Sequence, residues 1–83
     1  MANVEQLKLI KQGVEKWNQW REQNSNIKPD LSESDLRQAY LQKANLSHAN
    51  LNKVKLQFSN LTGANLKETS LKNVKGADQN LLL

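Results

Sequence analysis

The stretch Ala44-Asn45-Leu46-Ser47-His48-Ala49-Asn50-Leu51-Asn52-Lys53 decides how this chain is read, because one five-residue order occurs twice in succession within it. A small residue is followed by Asn, then Leu, then two polar positions. Outward from this stretch, leucine stands at 31, 36, 41, 46, 51, 56, 61, 66 and 71; Gly76 interrupts the series and Leu81 resumes it. No leucine between Leu31 and Leu81 falls outside that phase. The position two before the register holds Ser34, Ala39, Ala44, Ala49, Val54, Ser59, Ala64, Thr69 and Val74, and asparagine directly precedes leucine at 45, 50, 60, 65 and 80. A period of five fits neither the helix repeat nor the two-residue alternation of a strand. A long helix would wind these leucines around its whole surface, and the asparagines would compete for its backbone hydrogen bonds. Short units that each turn a leucine inward, with neighbours completing the core, satisfy the pattern.

The units Ala44–His48, Ala49–Lys53 and Ala64-Asn65-Leu66-Lys67-Glu68 resemble the pentapeptide-repeat family, whose pattern is small residue, Asn or Asp, Leu, and two variable residues. The resemblance covers residues 30–75. It implies a β-solenoid, a right-handed quadrilateral β-helix of between two and three coils, with five residues to a face and four faces to a coil. The segment from Gly13 to Arg21 also resembles the helical cap that precedes such repeats in some cyanobacterial members. Members that imitate DNA and bind topoisomerases do so with acidic surfaces. The repeats here are basic, so that role is not carried over.

Upstream of the repeats, residues 4–23 read as one helix. Leu7, Ile10, Val14 and Trp17 form its apolar stripe, with Val4 and Trp20 at the margins. Asn3 can cap the first turn, with Gln6 completing a capping box. Gly13 marks close packing or a local weakness. Asn24-Ser25-Asn26 and then Pro29 stop the helix. A solenoid end exposes apolar side chains and unpaired backbone groups, so a different structure must cover it. The expected division is a cap and connection over 1–28 and a repeat helix over 29–83, forming one integrated domain. Leu7, Ile10, Val14 and Trp17 are the expected cap core. Leu31, Leu36, Leu41, Leu46, Leu51, Leu56, Leu61, Leu66 and Leu71 are the expected repeat core.

The 83 residues contain no cysteine and carry a formal charge of +4. Disulfides and thiolate chemistry are excluded, and a cytoplasmic protein is expected. No stretch has the length and apolarity of a transmembrane segment. His48 is the single histidine and has no catalytic or metal-binding set around it. The serines lack a histidine–acid arrangement, and there is no phosphate loop. No enzyme activity, cofactor or metal is therefore expected.

In the four-sided register, residues twenty apart stack, so Glu68 lies over His48. Lys53, Lys55, Lys72 and Lys75 converge near the boundary of the first two faces, with Arg37 as an outer member. Glu33 and Asp35 weaken the positive field toward the cap. Such lysines serve solubility by themselves, and they also suit an acidic protein partner. Specific nucleic-acid recognition is not expected, because no reading helix or aromatic basic platform is present. Phe58 falls at an outward position, as a contact residue or as corner packing. Tyr40 takes an Asn/Asp position and is expected to spread over the junction with the cap.

At the distal end Gly76 removes a core leucine, and Leu81-Leu82-Leu83 supplies an apolar terminus. These leucines fold over the last coil, mediate an end-to-end homodimer, or are the remnant of a shortened chain. The resemblance favours a dimer, since some members associate through their C-terminal coils. The expected function is a non-enzymatic protein-interaction or regulatory scaffold. The alternative is a structural or self-assembly module.

Overall fold

In the computed structural model, which describes residues 1–76, every leucine from Leu31 to Leu66 opens a reverse turn. Its carbonyl accepts the N–H three residues on, at 2.9–3.3 Å. The residue two after leucine is left-handed: Glu33, Gln38, Lys43, His48, Lys53, Phe58, Glu68 and Asn73 have φ of 56–63°, and Gly63 has 74°. Positive φ at the third residue is the mark of a type II turn, and it costs a non-glycine residue about 1–2 kcal/mol. A side chain branched at Cβ suits this conformation worst. None stands at any of these positions.

The asparagine or aspartate before leucine secures the same turn. The side-chain oxygens of Asp30, Asp35, Asn45, Asn50, Asn60 and Asn65 each accept the N–H two residues later, at 2.9–3.1 Å. Where Ser70 replaces the amide, Asn52 of the preceding coil substitutes for it. Its Oδ1 accepts from Ser70 Oγ at 2.6 Å and from Lys72 N at 2.9 Å.

Turns at this interval bring residues twenty apart together. Parallel bridges join Asp30 to Asn50 and Asn50 to Ser70, Asp35 to Lys55 and Lys55 to Lys75, Tyr40 to Asn60, and Asn45 to Asn65. Each turn of the coil thus has four five-residue sides. The pairs are isolated bridges among the described residues and do not lengthen into strands. The next corner interrupts each side before a strand can extend. Leucine N–H groups donate to the following coil, as in Leu31 to Asn50 O and Leu46 to Asn65 O, both 2.9 Å. In return Asn50, Lys55, Asn60 and Asn65 donate to Pro29, Ser34, Ala39 and Ala44 of the preceding coil at 2.8–2.9 Å.

Leu31, Leu36, Leu41, Leu46, Leu51, Leu56 and Leu61 are buried in the coil interior beside Ala44, Ala49 and Val54. Full burial of one such side chain stabilises the fold by about 1.5–3 kcal/mol. Leu66 packs against this core while only partly buried, and Leu71, expected in the core, is 43 % exposed. Among the described residues no further coil stacks above it. Among the described residues the last bridged position is Lys75. Gly76 has φ of 96°, and a Cβ there would lie 2.7 Å from the Gln57 backbone nitrogen, so a core leucine cannot continue the series in this conformation.

The expected single cap helix is two: α1 spans Val4–Lys11 and α2 spans Val14–Gln23. Gly13 separates them at φ of 121°, and nothing lies within 4 Å of the Cβ it lacks. Backbone conformation, and not close packing, is what requires glycine here. Ile10 and Trp17 are buried in the shared core, with Leu7, Leu9, Val14 and Trp20 half-buried against it. Asn3 caps α1 by accepting the Gln6 N–H at 3.0 Å. The expected reciprocal bond of a capping box is absent, because Gln6 Oε1 accepts from Asp30 N at 2.8 Å while Asn3 N donates to Asp30 O at 2.8 Å.

The polar side chains of α2 treat the coil likewise. Trp17 Nε1 donates to Asn45 O at 2.8 Å, and Asn18 Oδ1 accepts from Asn45 N at 2.8 Å while its Nδ2 donates to Lys43 O at 3.0 Å. Arg21, buried, donates to Ser47 O at 2.9 Å and Asn45 O at 3.2 Å. Burial lowers its pKa from the ordinary guanidinium value.

Two stability measurements follow from this geometry. In urea titration, Gln38→Val should destabilise the fold by about 1–2 kcal/mol through the left-handed corner, whereas Gln38→Gly should cost less. Equal losses would refute the strain account. Arg21→Met should cost about 1–3 kcal/mol by stranding the Ser47 carbonyl, the Asn45 carbonyl keeping its bond from Trp17 Nε1, while Lys16→Met on the exposed face should stay within about 0.5 kcal/mol.

Candidate functional site

The coil register fixes where the surface charges stand. The Lys55–Lys75 bridge places these two residues directly over each other, held by Leu56 N to Lys75 O and Lys75 N to Val54 O, both 2.9 Å. Lys53 N donates to Lys72 O at 2.8 Å, joining the neighbouring sides of the same two coils. All four lysines are exposed, and among the described residues none makes an ion pair.

The acidic residues in the same columns are occupied elsewhere. Glu33 lies 3.2 Å from the Met1 amino group. Asp35 receives the Arg37 guanidinium at two oxygens, with Nε at 2.8 Å and Nη2 at 2.7 Å. Those bonds and the Arg37 backbone N–H hold the Asp35 carboxyl far below its ordinary range and raise the Arg37 pKa. Arg37 is therefore committed to Asp35 and is not a free outer member of the lysine group. Because Glu33 and Asp35 are already paired, they offset the lysines less than their charges alone suggest.

Phe58 occupies a left-handed corner and is 56 % exposed. It lines a groove of about 810 Å³ together with Ile10–Gly13 of the cap and Asp35–Leu41 of the first coil. Tyr40 lines the same groove at 81 % exposure. In place of the expected spread over the cap junction it stays uncovered, facing the groove beside the interruption between α1 and α2. Arg37 and Phe58 thus both line the groove, while Lys53, Lys55, Lys72 and Lys75 lie outside its lining.

His48 Nδ1 lies 2.9 Å from Glu68 Oε2, both side chains being exposed. Asp30 is held below the usual carboxylate range by the Ser32 hydroxyl at 2.7 Å and the Ser32 N–H at 3.0 Å. Among the described residues no three His, Cys, Asp or Glu side chains are grouped to hold a metal ion. No helix among them is long and apolar enough to cross a membrane. Leu81, Leu82 and Leu83, the candidate dimer interface, lie outside the described residues.

The sequence points to no coil contact for Asn18 or Arg21, and it places Gln6 in a capping box and not against Asp30. Asn18 and Arg21 are three apart on α2 and lie on one side of Trp17, a spacing that puts a polar pair beside the apolar stripe. That pairing was the available signal. The groove had none, since it depends on the break at Gly13.

Residues 30–67 match the family model for pentapeptide repeats, in eight copies. No curated protein and no solved structure gives a significant match. The matched residues are those whose turns, asparagine caps and twenty-residue pairing build the stacked coil, and residues 30–67 are pentapeptide repeats.

Proposed function

We propose that this chain is a non-enzymatic interaction scaffold, a right-handed quadrilateral β-helix whose lysine-bearing sides bind an acidic protein. The match of residues 30–67 to a repeat family supports the scaffold part of this reading. The observation that carries the partner part is the stack of Lys55 on Lys75, with Lys53 and Lys72 on the adjoining side. Backbone bonds between coils fix the positions from which these four unpaired cations project. Their anionic neighbours on the first coil are already engaged.

A rigid array of like charges raises the on-rate and sets the register of an oppositely charged partner more than it adds raw affinity.

The test is capture from cell extract by the wild-type chain and by a variant carrying Lys53→Glu, Lys55→Glu, Lys72→Glu and Lys75→Glu. Circular dichroism should show both folded. A partner retained by the wild type should bind the variant about tenfold more weakly or worse, and wild-type binding should fall steeply with added salt. Equal retention by both proteins would contradict the reading.

A further inference from the structure

The ladder between coils has a direction, and it identifies a row of backbone groups that the cap leaves open. In the second and third coils, the N–H groups of Lys55, Asn60 and Lys75 point back to carbonyls of the preceding coil. The carbonyls of Lys55, Gln57, Asn60 and Thr62 accept from the preceding coil's Leu36, Gln38, Leu41 and Lys43. The equivalent groups of the first coil are the N–H of Asp35 and Tyr40 and the carbonyls of Asp35, Arg37, Tyr40 and Gln42. Among the described residues nothing donates to or accepts from any of these six groups.

The neighbouring sides differ. At Asp30 the N–H and carbonyl are taken by Gln6 and Asn3, with the Ser32 carbonyl left without a donor among the described residues, and at Asn45 the equivalent positions are taken by Asn18, Trp17 and Arg21. The cap thus pairs with two sides of the coil and leaves the two consecutive sides between them open. The groove lies on that open edge, below the break between α1 and α2. Buried Ile10, Leu36 and Leu41 contribute apolar lining, and exposed Tyr40 and Phe58 contribute aromatic lining.

A row of donors and acceptors at the end of a ladder fits the backbone of an extended segment. Charge narrows the choice further. Asp35 and Arg37 cancel each other within the groove. Lys11, exposed in the last turn of α1, has no ion pair among the described residues, and Lys55 is bridged to Asp35 at the groove margin.

We propose that the groove between Ile10–Gly13 and the Asp35–Gln42 edge docks an extended acidic segment of a partner protein. The segment pairs with the open edge as two sides of a preceding coil would. The proposal rests on the scaffold reading above and specifies where on the scaffold, and in what conformation, an acidic partner is held. In this register, leucine N–H groups of the segment donate to the carbonyls of Asp35 and Tyr40. Its leucine side chains cover Leu36 and Leu41, and its acidic residues meet Lys11 and Lys55.

The probe is a synthetic blocked decapeptide, Ala-Asp-Leu-Glu-Glu-Ala-Asp-Leu-Glu-Glu, added to the full chain and followed by amide NMR. Binding should slow hydrogen exchange at the Asp35 and Tyr40 amides by about tenfold or more. N-methylation of the peptide's leucines should abolish the effect, and Lys11→Glu should weaken binding several-fold. Unchanged exchange at Asp35 and Tyr40 under saturating peptide would overturn the proposal, as would equal binding by the N-methylated peptide. Shifts confined to Lys53 and Lys72 would overturn groove docking and leave the lysine-face reading standing. No binding by the decapeptide would also overturn groove docking, and the lysine face would then be judged by the charge-reversal experiment.

Discussion

A parallel backbone ladder has to end somewhere, and each end presents N–H and carbonyl groups with no next coil to meet them. Inside the coil every side hands donors forward and receives them back, so the polar backbone of the interior is satisfied by repetition alone. At the first coil repetition fails. The chain replaces it with side chains: Gln6 and Asn18 offer amide oxygens, and Trp17 and Arg21 offer N–H groups, where a preceding coil would have offered backbone. The cap is thus more than an apolar lid. Ile10 and Trp17 exclude water, and the polar residues around them pair what is left dry.

Two residue choices make the coil itself possible. Leucine fills the interior, while the asparagine or aspartate before it fixes the turn by accepting the N–H two residues on. The second residue after leucine must tolerate positive φ, which explains why that position accepts Glu, Gln, Lys, His, Phe, Gly and Asn but no residue branched at Cβ. Its side chain points away from the core at a corner. The corners are consequently free to carry the surface chemistry, including Lys53 and Phe58.

The five-residue period made the coil legible, because the same leucine spacing that excludes a long helix defines the twenty-residue stack. His48 facing Glu68 followed from that register alone. The left-handed corners were also encoded, in the absence of valine, isoleucine and threonine two after leucine, although polarity masked that signal. The cap was less legible. An apolar stripe through Leu7, Ile10, Val14 and Trp17 runs continuously past Gly13, so periodicity could not reveal that the helix breaks there. The side-chain pairing of Asp35 with Arg37 was hidden for another reason: the two are near in sequence, but their turn had to be known before a bidentate contact could be assigned. Leu71 fits the register and still lies 43 % exposed, because period determines which way a residue points and not what covers it.

The unequal reach of the cap links stability to recognition. Where α2 crosses the coil, the ladder end is closed; beneath Gly13 it stays open, beside two exposed aromatic side chains. Native-state amide hydrogen exchange on the free chain tests this division most directly. Asp30 and Asn45 should exchange as slowly as the ladder amides of Asn50 and Asn65, while Asp35 and Tyr40 exchange far faster. Exchange at Asn45 as fast as at Asp35 would mean that the cap side chains do not replace the missing coil, and would contradict the account.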